Sequence, residues 1–325
     1  MLTCAPMSEP RSTGVSRRLL LKYAGAAPFA VGCARPSEPV KAAPAQTLTV
    51  PREQAGAQLR LQLAQLEREI GGRLGLAALN TATGARVEAR ADERFAMCST
   101  FKLTLVSAVL ARVDAGQEQL ERRIAFGESA LLEYAPVTRE HLAEGGMSVD
   151  ALCAAAITRS DNTAANLLLE TVGGPPGLTA YFRSLGDSVT RLDRNEPLLN
   201  TALPDDPRDT TTPRAMLATM NAILVGNALS AASRTRLCDW LVATTTGLNR
   251  LRAGFNTKFR AGDKTGTGEN GATNDLAVVW PSGSPAGNGP VLIAAYTMGS
   301  SASTEQIGAG LSRAARLIMT EFGLG

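Results

Sequence analysis

The sequence contains a single histidine, His141, among 325 residues. A nucleophile activated by histidine therefore has only one candidate base. Zinc sites are usually built from histidine and cysteine, and the five cysteines include no Cys-x-x-Cys pair. We expect no metal site and no cofactor, and we interpret His141, which lies in a polar link before a predicted helix, as structural.

An excess of charge is also missing from most of the chain. The net charge is +3, and it is carried by the first 32 residues, which contain four basic residues and one acidic residue. Residues 33–325 carry as many acidic as basic side chains. Nothing in this balance indicates a nucleic-acid partner.

The N-terminal region lacks an apolar run long enough to span a membrane, because the stretch Tyr23–Gly32 is too short. It follows Arg17 and Arg18, a pair that resembles a twin-arginine export signal. It ends in Ala-Val-Gly-Cys33, which resembles a bacterial lipobox. We predict an export signal over residues 1–33 and a periplasmic protein. Either Cys33 becomes the acylated residue of a membrane-anchored lipoprotein, or cleavage nearby releases a soluble product.

Residues 34–51 are rich in proline, alanine and serine and show neither a helical nor a strand period. This composition is typical of a flexible tether. We expect the folded part of the chain to begin near Arg52.

The order of the predicted elements indicates an α+β fold. An apolar repeat at helical spacing predicts a helix from Arg52 to Ile70. Apolar segments bounded by glycine, proline and asparagine predict strands at 74–80, 85–90, 259–264, 276–280 and 291–298. Helical patterns occupy the segments 99–114, 148–157, 161–172, 176–185, 212–225, 231–244 and 304–322.

Both ends of the chain therefore contribute to one domain. We predict an antiparallel sheet flanked by terminal helices, formed by residues 52–95 and 243–325, with an all-α domain inserted at 96–242. Within the insertion, residues 191–212 lack a regular period and contain three prolines. Irregular loops of this length are often functional.

Ser99 and Lys102 lie three residues apart at the start of a long apolar run. In a helix the two side chains share one face, and the serine lies where free N–H groups favour developing negative charge. Burial disfavours the charged form of lysine, so Lys102 is a second candidate base for the hydroxyl. An N-capping serine beside a solvated lysine is the alternative explanation.

Three further groups of polar residues follow in order: Ser160-Asp161-Asn162, Glu196 with Asn200, and Lys264-Thr265-Gly266. Together with the Ser-x-x-Lys pair, this order resembles the class A serine β-lactamases, which belong to the penicillin-binding protein-like serine hydrolase superfamily. The resemblance extends from Arg52 to the C-terminus. It implies the α+β fold described above.

The resemblance also implies the hydrolysis of β-lactam antibiotics through a serine acyl-enzyme, and hence antibiotic resistance. Ser99 corresponds to the nucleophile, and its backbone N–H forms the oxyanion hole with that of Thr267. Ser160 would relay a proton to the leaving nitrogen. The base for acylation is either Lys102 or Glu196, the latter acting through a water.

Several residues are implied to bind the substrate. Lys264 with the hydroxyls of Thr265 and Thr267 would hold its carboxylate, and Gly266 belongs to the same motif. Three more residues match positions around the family's active site: Asn162 for the acylamide group, Tyr134 at the cleft border, and Arg250 as an alternative carboxylate-binding arginine. A surface arginine is the other explanation of Arg250.

Glu196 and Asn200 would position and deprotonate the water that hydrolyses the ester. They lie in residues 194–209, which correspond to the family's Ω-loop. Arg194 and Asp209 match the ion pair that closes this loop. Cys98 precedes the nucleophile. Some family members bond a cysteine at that position to one just after the Lys-Thr-Gly-Thr segment, where this chain has Gly268, so we expect Cys98 to be a free, buried thiol. The same is expected of Cys153 and Cys238.

Two other functions share part of this pattern. A D-alanyl-D-alanine peptidase would use the same serine and lysine, and a β-lactam sensor or peptidoglycan-binding domain would acylate once. Both predict a stable acyl-enzyme. Glu196 favours the hydrolase, because a positioned carboxylate supplies the general base for turnover. We expect a monomer whose partner is a small β-lactam substrate.

Overall fold

The structure is a computed structural model, and it describes residues 52–281 and 289–325. The predicted export signal at residues 1–33, with Cys33, and the predicted tether at residues 34–51 lie outside the described residues. Among the helices that are described, none has both the length and the apolar character needed to cross a membrane.

The described part of the chain contains both helices and strands, in an order that matches an α+β fold. The helices are α1 (Arg52–Ile70), α2 (Phe101–Asp114), α3 (Val149–Thr158), α4 (Asn162–Thr171), α5 (Gly174–Ser184), α6 (Pro213–Leu224), α7 (Ala231–Val242) and α8 (Thr304–Glu321). The strands are β1 (Arg73–Asn80), β2 (Arg86–Ala89), β3 (Phe95–Ala96), β4 (Arg123–Ala125), β5 (Gly146–Ser148), β6 (Thr210–Thr211), β7 (Arg260–Thr267), β8 (Thr273–Trp280) and β9 (Val291–Met298).

The helical predictions are confirmed, and two of the helix starts show why. The Ser148 hydroxyl accepts a hydrogen bond from the Ala151 N–H at 3.2 Å, which caps α3. Thr212 caps α6 in the same way through Ala215, and Pro213 occupies the first helical position. Such caps satisfy N–H groups that the helix itself leaves free.

Five antiparallel strands form the main sheet in the order β2-β1-β9-β8-β7. Alternate residues of β1 pack into two different apolar clusters, Leu76 into one and Ala77 into the other. The first cluster also contains the apolar faces of α1 and α8, such as Leu63 and Leu311. The second contains the buried face of α2. The sheet is therefore covered on both faces.

Two strands extend further than the sequence predicts. The pattern predicts a strand that ends at Lys264 and another that begins at Leu276, whereas β7 continues to Thr267 and β8 begins at Thr273. The antiparallel pairing of Thr267 with Thr273 closes the ladder. The extension is held by backbone pairing between the two strands. Its residues show no apolar alternation, so the sequence pattern does not predict it.

The segment 96–242, predicted to be all-α, is mostly helical, but it also contains short strands. β3 pairs with β6, and β4 pairs with β5. Strands of two or three residues are too short for a periodic signal, so the prediction misses them. α2 packs against α3, α4, α5 and α7, and its residues from Phe101 to Leu110 are all buried. The proposed domain boundaries stay a prediction.

Candidate active site

Ser99 lies in a tight turn that leads into α2, defined here as the nucleophile turn, residues 96–100. The turn includes a short 3-10 helix at Cys98–Thr100. Cys98 has a φ of 46°, a left-handed conformation that is unusual for a residue with a side chain. Such a conformation costs about 1–3 kcal/mol and persists where neighbouring contacts fix it. The nucleophile turn therefore depends on the residues that surround it.

The Ser99 hydroxyl donates a hydrogen bond to Glu196 Oε1 at 3.0 Å. Lys102 Nζ forms an ion pair with the same oxygen, also at 3.0 Å. Both charged side chains are completely buried. The serine hydroxyl and the lysine amine thus share one oxygen of the Glu196 carboxylate. Either the carboxylate or the amine can act as the base that takes the proton from the serine.

Lys102 has further partners from the segment between α3 and α4. Its Nζ donates to the Ser160 carbonyl at 2.8 Å and to Asn162 Oδ1 at 2.6 Å. Burial lowers the pKa of Lys102, and the negative charge of Glu196 opposes that shift. Burial therefore makes the neutral amine, which is the form that can act as a base, more accessible than in an ordinary lysine.

Ser160 lies between two buried lysines. Lys264 Nζ donates to the Ser160 hydroxyl oxygen at 2.9 Å, and Lys102 Nζ lies 3.4 Å from the same atom. Lys264 also donates to the Thr265 carbonyl at 2.9 Å. Burial and the nearby charge of Lys102 hold the pKa of Lys264 well below its usual value. A bound anion would favour its protonated form.

Glu196 is held at both its backbone and its side chain. Asn166 Nδ2 donates to the Glu196 carbonyl, and the Glu196 N–H donates back to Asn166 Oδ1, each at 3.0 Å. Asn200 Nδ2 donates to the free carboxylate oxygen, Oε2, at 2.6 Å. No role is predicted for Asn166 from the sequence, although it lies four residues after Asn162 on α4. This spacing places both residues on one helix face.

The ion pair predicted between Arg194 and Asp209 is confirmed, with Arg194 Nε 2.5 Å from Asp209 Oδ2. The other carboxylate oxygen of Asp209 accepts the N–H groups of Asp193 and Arg194 at 2.7 and 2.9 Å. The Asp209 carbonyl accepts the N–H of Met97 at 2.9 Å. Asp209 thus joins the start of the Ω-loop to its end, and the loop to the nucleophile turn.

Replacing Asp209 with alanine is expected to slow deacylation at least tenfold more than acylation, because Glu196 is carried by the loop that Asp209 closes. Arg194 would keep Thr201 at 3.2 Å and Asp206 at 3.8 Å. The loss of its closest ion pair, with two partly buried N–H groups left unpaired, should still lower the free energy of unfolding by about 3–5 kcal/mol. Pre-steady-state kinetics with a chromogenic cephalosporin, beside a denaturant titration, measure both effects.

Arg208→Ala is the matched control for this variant, because Arg208 lies in the same loop, its side chain is exposed, and its ion pair with Asp206 at 2.8 Å leaves Arg194 and Asp209 in place. Exposed ion pairs contribute about 0–1 kcal/mol, so this variant should behave like the wild type. Equal losses in acylation and deacylation for Asp209→Ala would contradict the account of the loop.

The hydroxyl of Ser99 opens into a cleft of about 350 Å³. The cleft is lined mainly by polar side chains: Ser99, Tyr134, Ser160, Asn162, Asn200, Thr246, Arg250, Thr265 and Thr267. Thr246 is absent from the sequence-based set, and its hydroxyl lies 2.7 Å from that of Thr265. The predicted residues Lys102, Glu196 and Lys264 lie beneath this lining and are buried.

Arg250 is buried beside the cleft rather than exposed on the surface. Its Nη1 donates to the carbonyls of Gly266 and Asn274 at 2.9 and 2.7 Å, and its Nη2 donates to the Thr267 hydroxyl at 2.7 Å. This position fits the carboxylate-binding interpretation of Arg250. The alternative, a surface arginine, is wrong, because only 7% of the residue is exposed.

Gly266 and Gly268 permit a close approach between β7 and its neighbours. A Cβ atom at Gly266 would lie 2.7 Å from the Met97 carbonyl oxygen. At Gly268 it would lie 2.5 Å from the Asn200 carbonyl oxygen and 2.6 Å from Cys98 Sγ. All three distances are shorter than a side chain tolerates, so the two glycines let the end of β7 pack against the nucleophile turn and the Ω-loop.

Three remaining predictions concern Tyr134, the cysteines and the single histidine. Tyr134 is half exposed at the cleft border, and its hydroxyl donates to the Arg159 carbonyl at 3.2 Å. Cys98, Cys153 and Cys238 are free and buried, as expected. His141 lies within 2.7 Å of Glu144 on the surface and does not line the cleft.

Known proteins that are similar to this chain are β-lactamases. A model of the β-lactamase enzyme family matches residues 58–322. The chain is 43% identical to β-lactamase L2 of Stenotrophomonas maltophilia over 303 residues, which cover 93% of this chain and 98% of the relative. It is 44% identical to the carbapenem-hydrolysing β-lactamase KPC of Klebsiella oxytoca, covering 80% of this chain and 88% of the relative.

A solved structure is similar as well. The class A β-lactamase described as the last common ancestor of Gram-negative bacteria is 57% identical, with a TM-score of 0.79, over 81% of this chain and 99% of that chain. These similarities favour the hydrolase over the peptidase and the sensor. The chain belongs to the class A β-lactamases, the serine enzymes of the β-lactamase family that hydrolyse β-lactam antibiotics.

Proposed function

We propose that Ser99 is the nucleophile of this β-lactamase and that Glu196 makes the enzyme turn over. The observation that carries the proposal is that Ser99 Oγ and Lys102 Nζ each lie 3.0 Å from the same carboxylate oxygen, Glu196 Oε1. Each residue type suits its role, because a serine hydroxyl needs a base and an ester needs an activated water.

In the acylation step, Ser99 Oγ attacks the carbonyl carbon of the β-lactam ring and loses its proton to Glu196 or Lys102. The ring C–N bond then breaks, and the nitrogen takes a proton through Ser160, which lies beside both lysines. The N–H groups of Ser99 and Thr267 would stabilise the oxyanion. Each such donor typically contributes about 2.7–4 kcal/mol to the transition state.

In the deacylation step, Glu196 takes a proton from a water, and the resulting hydroxide attacks the ester carbon. The ester C–O bond breaks, and Ser99 Oγ recovers a proton. Asn200 holds the carboxylate through Oε2, and its own Oδ1 is buried without a partner in the described residues. That oxygen is an acceptor for the water that Glu196 deprotonates.

The cleft also supplies a place for the substrate carboxylate. Thr265 and Thr267 present hydroxyls, and Arg250 and Lys264 lie directly behind them. Buried cations are costly without an anion nearby, and the substrate carboxylate supplies one. Asn162 also lines the cleft, where it can hydrogen-bond an acylamide group.

A chromogenic cephalosporin tests this proposal in its simplest form. The purified wild-type protein should hydrolyse many equivalents of the compound, whereas a D-alanyl-D-alanine peptidase or a sensor would release one equivalent and stop. A wild-type protein without turnover would contradict the proposal.

The pH dependence of acylation distinguishes the two candidate bases. Glu196 raises the pKa of Lys102, so Glu196→Gln should lower that pKa further. The neutral amine then persists at lower pH. If Lys102 takes the Ser99 proton in this variant, as we expect, the acid limb of the acylation rate moves to lower pH than in the wild type. Stopped-flow acylation rates across a pH series measure this shift.

Glu196→Gln/Lys102→Met is the control for that experiment, because it removes both bases. It should lose acylation at every pH. An acid limb that stays in place in Glu196→Gln, or acylation that survives in the double variant, would contradict a role for Lys102.

We also propose that the mature enzyme is a monomer. For the parts of the chain outside the described residues, we propose export by the twin-arginine-like segment, with Cys33 as the lipid attachment site. The arginine pair, the apolar stretch and the Ala-Val-Gly-Cys sequence support export and lipidation. Fractionation of cells that produce the full chain, with Cys33→Ser beside Cys4→Ser, tests membrane attachment. Release of neither variant from the membrane would contradict it.

A further inference from the structure

Asn274, near the start of β8, contacts the nucleophile turn with its side chain. Its Nδ2 donates to the Ala96 carbonyl at 2.8 Å and to the Met97 carbonyl at 3.2 Å. Its Oδ1 accepts the N–H of Thr297 on β9 at 3.1 Å. The residue is completely buried, so no water competes for these bonds. The amide therefore links the main sheet to the turn that carries Ser99.

The nucleophile turn needs such a link because of the left-handed conformation at Cys98. The Met97 carbonyl, one peptide before Cys98, also accepts the N–H and the hydroxyl of Thr100, at 3.2 and 2.8 Å. Those two bonds are internal to the turn and move with it. The bonds from Asn274 come from a rigid strand, so they fix the position of the turn relative to the sheet.

Asn274 also contacts the substrate side of the cleft. Its carbonyl oxygen accepts Arg250 Nη1 at 2.7 Å, and it is the register partner of Gly266, which packs against the Met97 carbonyl. One residue thus connects the strand that carries the Lys-Thr-Gly motif, the arginine behind Thr267 and the turn that carries Ser99. Its neighbour Asp275 points to the opposite face and accepts the Leu251 N–H.

We propose that Asn274 is a positioning residue that holds the Ser99 N–H and hydroxyl in register with Thr267 across the oxyanion hole. This inference rests on the proposed role of Ser99. Reacting groups must be held to within a fraction of an ångström, and a displacement of about 1 Å can cost about 10²-fold in rate. Asn274 acts through the turn and does not contact the substrate.

The test compares Asn274→Ala with the wild type in two assays that report on the oxyanion hole. The first is the acylation rate with a chromogenic cephalosporin. The second is the inhibition constant of phenylboronic acid, whose boron bonds to a serine oxygen and becomes tetrahedral. We expect acylation to fall at least tenfold and the inhibition constant to rise at least tenfold, measured below the melting temperature of the variant.

Asn80→Ala is the matched control, because Asn80 is also a buried asparagine that bonds two backbone groups, the N–H groups of Ala82 and Thr83. It lies in the β1–β2 hairpin, away from the cleft. We expect a comparable fall in melting temperature and no change in the boronic acid constant. A merely structural role for Asn274 predicts that its variant behaves in the same way.

If the alanine variant does not fold, Asn274→Ser replaces it in both assays. Serine keeps a hydrogen-bond donor on a shorter side chain, so acylation and boronic acid affinity should fall in the same direction but by less. Boronic acid constants within twofold of the wild type for the folded variants would overturn the inference. Such a result would leave the role of Ser99 intact, whereas a wild-type protein that neither acylates nor binds phenylboronic acid would overturn the proposed function itself.

Discussion

Replacing Glu196 with glutamine is expected to reduce steady-state β-lactam turnover by about 10³-fold, because the amide cannot take a proton from the hydrolytic water. Glutamine keeps the shape of the side chain and its contact with Asn200, so the Ω-loop should stay in place. Acylation should continue through Lys102, which loses its shared carboxylate but remains beside Ser99. The time course should show one equivalent of fast product release followed by a nearly flat phase.

Glu118→Gln is the matched control, because Glu118 is also buried and ion-paired, with Arg122 at 2.6 Å, but lies outside the cleft. This variant should turn over like the wild type. If Glu196→Gln retains wild-type turnover, or loses acylation and deacylation to the same extent, the division of labour proposed for Glu196 is wrong.

Replacing Ser99 with alanine is expected to remove hydrolysis almost completely, with a loss of roughly 10⁶-fold in kcat, as typically follows removal of a serine nucleophile. The variant should still bind substrate, because the residues behind the carboxylate site are unchanged. Steady-state assays at high enzyme concentration measure the residual rate. Equilibrium binding of an intact cephalosporin measures the retained affinity.

Ser107→Ala provides the control, because Ser107 is a buried residue of α2 eight positions further along, with its hydroxyl 2.8 Å from that of Tyr181. Both variants delete one hydroxyl from the same part of the fold, but Ser107 does not line the cleft. Only Ser99→Ala should lose activity. Hydrolysis at more than a few per cent of the wild-type rate in Ser99→Ala would identify another nucleophile.

Much of the fold could be predicted because long elements leave a periodic trace in the sequence. The buried stripe of α1, with Leu59, Leu63 and Leu66, is an example, and all three side chains pack into one core. β3 and β6 could not be predicted, because two residues carry no period. The extension of β7 to Thr267 depends on its partner strand, which no local pattern describes.

Only part of the candidate site could likewise be predicted from the sequence. Ser99, Lys102 and Glu196 could be predicted from the resemblance to a family whose chemistry requires these residue types. The structure places Ser99 Oγ and Lys102 Nζ each 3.0 Å from Glu196 Oε1. Their roles stay predictions that kinetics must test. Asn166 and Asn274 act through contacts with distant segments, and Asn274 lies 178 residues from Ala96. Only the folded chain shows such pairs.

Hydrolysis through a Ser99 acyl-enzyme can be followed directly in the mass of the protein during its reaction with a β-lactam. In rapidly quenched mixtures, intact-protein mass spectrometry should find Glu196→Gln heavier by one substrate, and peptide mapping should place the adduct on Ser99. The wild type should return to its unmodified mass once the substrate is exhausted. An adduct on another residue, no adduct in the variant, or a wild-type adduct that persists after the substrate is consumed would contradict hydrolysis through a Ser99 acyl-enzyme that Glu196 resolves.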